Sequence, residues 1–254
     1  MKSVLTASFA LALTSLLATQ AHAAPLQNGQ FIGLTGWSTA GDVDVRGGVQ
    51  MGLDLGGAHV LLLGTATSFT DDDAPAPAGA YNLTGTDPLL AGDPVGLEAS
   101  LGLPTSALGL NAYEGSSAKQ TFTVNAGDVV SFDWRLASRN SGVRYDEPDT
   151  AWLLWNEGSH TSLTTLGDTA TSSMAVLPDG WLATNWQHLS FTASYTGQVT
   201  LGFAVADVNS FTTTRLLGIQ NVAVTTAVPE PESIALVLTG LVLLGRAARR
   251  THQS

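Results

Sequence analysis

The 254-residue sequence contains no cysteine. That excludes disulfides, thiolate zinc sites, a thiol nucleophile and a lipid-modified cysteine anchor. Basic residues are scarce: ten Lys and Arg stand against 21 Asp and Glu, for a net charge of −11. Such a surface repels phosphate backbones and excludes nucleic acid as a partner. Also missing is any long stretch with a 3.6-residue apolar period. Long apolar runs occur only at the two ends, so no amphipathic helix dominates the middle.

Those two ends read as processing segments. Lys2 supplies a positive start, and an apolar run from residue 4 to 18 is broken only by Ser and Thr. Ala21-His22-Ala23 then forms an A-x-A cleavage pattern. Residues 1–23 are expected to be a signal peptide cut by signal peptidase before Ala24, leaving residues 24–227 as one domain. At the other end, Pro229 and Pro231 keep the backbone extended and accessible. Residues 233–245 are apolar or small throughout, a helix of about 20 Å at 1.5 Å per residue. That is a marginal span for a hydrocarbon core of about 30 Å. Arg246, Arg249 and Arg250 follow it, and the positive-inside rule leaves them in the cytoplasm with the body outside.

Val228-Pro229-Glu230-Pro231, the short apolar run and the terminal arginine cluster together resemble a PEP-CTERM sorting signal. The resemblance covers residues 228–254. It implies handling by exosortase, an integral membrane protease, in a bacterium that makes extracellular polysaccharide. Export across the inner membrane, a transient anchor there, and then the cell surface or the extracellular space are the expected itinerary. The string Leu103-Pro104-Thr105-Ser106 has some letters of a conventional sortase motif, but it lies mid-chain and reads as a loop.

Gly and small polar residues are abundant in the body, and short apolar alternations recur, which predicts an all-β domain. Residues 129–137 alternate cleanly, with Val130, Phe132, Trp134 and Leu136 on one face and Ser131, Asp133 and Arg135 on the other. Residues 188–195 place Leu189, Phe191, Ala193 and Tyr195 inward. After a turn at Thr196-Gly197, residues 197–205 place Val199, Leu201, Phe203 and Val205 inward, so the two segments read as a hairpin. Residues 216–224 read as the closing strand, and 43–53, 59–67 and 120–124 as earlier ones. Residues 71–96, rich in Pro, Gly and Asp, read as a long loop. Two packed antiparallel sheets fit this pattern.

The order of elements resembles the jelly-roll, galactose-binding-like sandwiches of PEP-CTERM proteins. The opening from Asn28 to Trp37 and the closing 216–224 strand are similar to their first and last motifs. Such sandwiches hold a structural calcium between those motifs. Here Gln30, Ile32 and Gln220 occupy the positions of the acidic ligands, and an oxygen-rich site needs carboxylates. No metal and no cofactor is therefore expected. Asp71-Asp72-Asp73 and Asp146-Glu147-Asp149 lack EF-hand spacing and read as solvated acidic loops.

Candidate ligand contacts come from aromatic residues, which can stack on sugars. Trp134 falls on a core face. Trp152 and Trp155 lie three apart on a strand, so they face opposite sides, and only one is expected in the core. Trp181 and Trp186 sit in a loop near His188 and read first as lids on a core edge. Trp155, Trp181 and Trp186 are the candidates for sugar contact. Catalysis has weaker support. His59, His160 and His188 have no paired metal-ligand spacing. Ser116-Ser117-Ala118-Lys119 has S-x-x-K lettering without the companion elements of penicillin-binding chemistry. Asp146, Glu147, Asp149 and Glu157 could supply a glycosidase pair, but nothing selects two of them. No catalytic residue is expected. The reading is a non-catalytic, exported surface or matrix protein associated with exopolysaccharide or biofilm, with a carbohydrate-binding module as the alternative.

Overall fold

The computed structural model describes residues 25–50, 52–65, 78, 82–139, 148–177, 180–208, 214–227 and 239. The expected signal peptide with Ala21, Ala23 and Ala24, the motif at 228–231, the short apolar helix and the three terminal arginines lie outside the described residues. So do Asp71, Asp72, Asp73, Asp146 and Glu147.

The elements in chain order are β1 (Ser38–Ala40), β2 (Asp42–Arg46), β3 (Val49–Gln50), β4 (Leu53–Asp54), β5 (Val60–Gly64), β6 (Leu89–Leu90), α1 (Leu97–Leu101), β7 (Ala112–Val124), β8 (Val129–Ser138), β9 (Thr150–Glu157), β10 (His160–Asp168), β11 (Ala175–Val176), β12 (Leu182–Ala183), β13 (Gln187–Thr192), β14 (Gly197–Val208) and β15 (Arg215–Thr225). One sheet runs β1-β7-β14-β9-β10 with β6 beside β7. The other runs β11-β12-β8-β15-β5-β2 with β13 beside β8. These strands pair antiparallel. The chain steps from sheet to sheet, β7 to β8 to β9 and again β14 to β15, which makes a jelly-roll-like two-sheet sandwich.

The inner faces follow the expected alternation. Val130, Phe132, Trp134 and Leu136 of β8 meet Val199, Leu201, Phe203 and Val205 of β14 in the main core. Phe132 and Phe203 pack edge to face across the sheets, with centroids 4.9 Å apart. Each such aromatic, fully buried, contributes about 1.5–3 kcal/mol relative to exposure. Without disulfides, this core is what holds the domain.

The outer faces are not bare. Leu97 and Leu101 of α1 cover Trp152, Leu154, Ala204 and Ala206 on one sheet. Leu53, Leu55, Leu83 and Trp181 cover Val60, Leu62, Ala137 and Leu216 on the other. This corrects the expectation that only one of Trp152 and Trp155 enters a core. They do face opposite sides, yet both are buried, because a second apolar layer roofs the outer face.

Three further expectations need correction. First, β13 and β14 are not a hairpin. β13 pairs with β8, whereas β14 pairs with β7 and β9 in the opposite sheet. Two consecutive strands with apolar inner faces look alike whether they bond to each other or face each other across a core. Second, the expected 43–53 strand breaks into β2 and the small β3–β4 hairpin, and the strand expected at 120–124 starts much earlier, at Ala112. The extension contains Gly115, Ser116 and Ser117, whose lack of apolar side chains hides its burial. The Ser116 hydroxyl accepts a hydrogen bond from the Asp42 amide at 2.8 Å and donates to the Gly64 carbonyl at 2.6 Å, tying the two sheets together. Third, the described part of the long loop holds β6, and a single-turn helix follows it. Leu103 to Ser106 lie in the turns after that helix, and Ser116 to Lys119 lie within β7.

Candidate ligand-binding cleft at the sandwich edge

β10 ends one sheet and β13 borders the other, so the sandwich opens between them. Register places Trp155 opposite Ser162 and Leu153 opposite Thr164. From β13, Leu189 and Phe191 project toward the same gap. These residues with Ser190 line a cleft of about 390 Å³. Small-molecule sites fall in this size class and share this chemistry, an apolar floor with a few polar groups.

Phe191 meets Trp155 edge to face, with centroids 4.9 Å apart. Phe122 supports Trp155 from behind at 6.3 Å. Only 7% of Trp155 is exposed, so it forms the floor rather than a free platform. The indole Nε1–H donates to Glu157 Oε2 at 3.2 Å, and the Ser194 hydroxyl donates to Glu157 Oε1 at 2.5 Å. The Ser194 hydrogen bond, aided by that of Trp155, outweighs desolvation and holds the Glu157 carboxyl below its ordinary value. The bond to the indole sets this negative charge beside the cleft's tryptophan floor.

The three tryptophans named from sequence are not brought together. Trp181 is fully buried beneath the outer face of the β8–β15 sheet, which removes it as a stacking surface. Trp186 is half-buried over the same cluster, close to Gly218. The space beside Trp186 is about 10 Å³, room for at most a single water. Trp186 is thus a lid, as the loop reading expected. Nearby, His188 Nδ1 lies 2.7 Å from Asp133 Oδ1, and Asn221 Nδ2–H donates to Asp133 Oδ2 at 2.7 Å. Partial burial pushes the Asp133 carboxyl up, but these two partners outweigh it and hold the carboxyl below its ordinary value.

Geometry also separates the described glycosidase candidates. Asp149 precedes β9 and Glu157 ends it. Eight residues of strand at about 3.3 Å each put them roughly 26 Å apart, against about 5–9.5 Å for a working pair. At the opening motif, the Val222 amide donates to the Gly29 carbonyl at 3.0 Å, so the first and last segments do meet. Ile32 beside them is 78% exposed. Among the described residues, no three His, Asp or Glu side chains are grouped to hold a metal.

Sequence reasoning missed Phe191 as a cleft residue because alternation gave it only an inward direction. Glu157 was one carboxylate among several. The missing information was which sheet edges lie side by side.

No protein-family model matches the chain. No curated protein matches it either. Solved structures do. TmCBM61, a carbohydrate-binding module solved with β-1,4-galactotriose, is 10% identical, with 79% of this chain and 97% of that one covered, at a TM-score of 0.42. The N-terminal cellulose-binding domain of a Cellulomonas fimi β-1,4-glucanase is 12% identical over 78% and 92% of the chains, at 0.30. A cleaved adhesin domain of Lys-gingipain from Porphyromonas gingivalis is 9% identical over 76% and 92%, at 0.37.

Proposed function

We propose that this chain is an exported, non-catalytic surface protein whose β-sandwich binds carbohydrate in the cleft between β10 and β13. One observation supports this above the others: the cleft combines an apolar floor, Trp155 and Phe191, with the polar side chains of Ser162 and Thr164 along β10. A sugar ring has the complementary make-up, with apolar C–H faces and hydroxyl edges. Exopolysaccharide outside the cell is the fitting partner class. The sorting role belongs to the same proposal and rests on the resemblance of residues 228–254 to a PEP-CTERM tail, with exosortase and signal peptidase as partners. Among the described residues, no helix is long and apolar enough to cross a membrane.

Titration calorimetry of the purified protein against neutral oligosaccharides tests the binding half. The expected result is binding that Phe191→Ala weakens at least tenfold, about 1.4 kcal/mol. Failure to bind any glycan, or binding indifferent to Phe191, overturns the cleft assignment. For the sorting half, a chain ending at Ala227 should keep its β-type circular dichroism and lose retention at the cell surface. Unchanged retention overturns the sorting role.

A further inference from the structure

Tyr195 is expected from alternation to point inward, yet it is 41% exposed. β13 stops at Thr192, and the chain then crosses to the other sheet, so the two-residue period no longer sets direction. The outer half of the ring rests on two glycines. A Cβ at Gly197, where φ is +149°, would come within 2.5 Å of the ring. One at Gly158, where φ is +63°, would touch it at 3.4 Å. Gly158 belongs to the tight β9–β10 turn, and its positive φ suits glycine. Two side-chain-free positions thus form a seat that fixes an aromatic ring while leaving much of it in solvent.

The surroundings connect this ring to the cleft. Ser194, the preceding residue, donates its hydroxyl proton to Glu157, and Glu157 precedes Gly158. The other oxygen of Glu157 accepts from the indole of Trp155, the cleft floor. A path of contacts therefore runs from Phe191 through Trp155 and Glu157 to Ser194, the chain neighbour of Tyr195. Each carboxylate oxygen accepts more than one hydrogen bond, so Glu157 can still receive a sugar hydroxyl between the two aromatic groups.

We propose that Tyr195, with Glu157 and Ser194, forms a second sugar subsite continuous with the cleft. The protein then binds a neutral oligosaccharide chain laid from the cleft across the β9–β10 turn, rather than a single sugar. The fixed carboxylate and the net charge of −11 disfavour uronate-bearing glycans. This inference rests on the carbohydrate reading of the cleft.

The test is calorimetry on the full purified protein with ladders of two to six units of β-linked gluco-, galacto- and xylo-oligosaccharides. Affinity should rise about tenfold along at least one ladder, the scale of a single aromatic stacking contact. Tyr195→Ala should abolish that rise and leave disaccharide affinity unchanged. Tyr195→Phe should preserve it. Tyr195→Leu covers the glycines without a ring and should behave like alanine, which keeps the test valid if the alanine variant folds poorly. A length dependence that survives in both ringless variants overturns the subsite, as does wild-type binding with no length dependence; either leaves the cleft standing. If no ladder binds the wild-type protein, the carbohydrate reading falls, and the subsite with it.

Discussion

Strand β9 has an acidic residue at each end, and the two live in opposite worlds. Asp149, just before its start, is buried and ion-paired with buried Arg215. Its Oδ1 also accepts from the Val208 amide at 2.9 Å. Buried Asp207 stands nearby. Burial pushes the Asp207 carboxyl well above its ordinary range, and the charge of Asp149 adds to this while Arg215 opposes it. Glu157, at the far end, lies beside the cleft's Trp155 and is held low by hydroxyl and indole donors. The carboxyls of Asp207 and Glu157 are pushed in opposite directions, because depth removes water around the first and well-placed donors replace it at the second. The first end belongs to stability, and the second belongs to recognition under the proposed function.

The largest effect should come from Arg215→Met. It leaves Asp149 and Asp207 buried without their guanidinium, and breaking a buried pair by removing one partner costs about 3–5 kcal/mol. Urea unfolding followed by tryptophan fluorescence would measure it. A loss below about 1 kcal/mol would mean that the two ends differ less than their burial indicates.

Asp207→Asn should act more gently and through pH. A carboxyl whose folded pKa is raised contributes stability that is fully present below its unfolded value, near 3.9. That contribution is lost as pH rises through the folded value. Removing the charge should therefore make the variant at least as stable as the wild type at pH 8, with the advantage disappearing toward pH 4. Urea midpoints across that range check the sign. An advantage that grows on acidification would contradict the assignment.

Glu157→Gln should have the smallest effect on the fold. Its carboxyl is held low, so its contribution is present above the unfolded pKa and is lost as pH falls through the folded one. The group is partly exposed and screened, so the change at neutral pH should stay within about 0.5 kcal/mol. Thermal melts at pH 7 and pH 3 would read it. A large loss at neutral pH would move Glu157 to the structural side of the comparison.

The inward faces of β8 and β14 were legible because period-two alternation maps directly onto the faces of a strand. The start of β7 was not, because Gly115, Ser116 and Ser117 are buried through backbone proximity and hydroxyl bonds rather than apolar area. The cleft was half legible. Trp155 was named from its residue type, whereas Phe191 and Tyr195 were misjudged or passed over. Trp181, named beside Trp155, turned out to belong to a core layer that only the folded chain assembles.

By itself, the sequence determined an acidic, disulfide-free, all-β body with alternating core strands, because composition and two-residue periodicity are local properties of the chain. Tertiary structure decided which strands share a sheet, which tryptophans lose contact with solvent, and that β10 and β13 border one cleft. Those outcomes depend on residues far apart in sequence meeting across two sheets, and no local pattern encodes which edges will lie side by side.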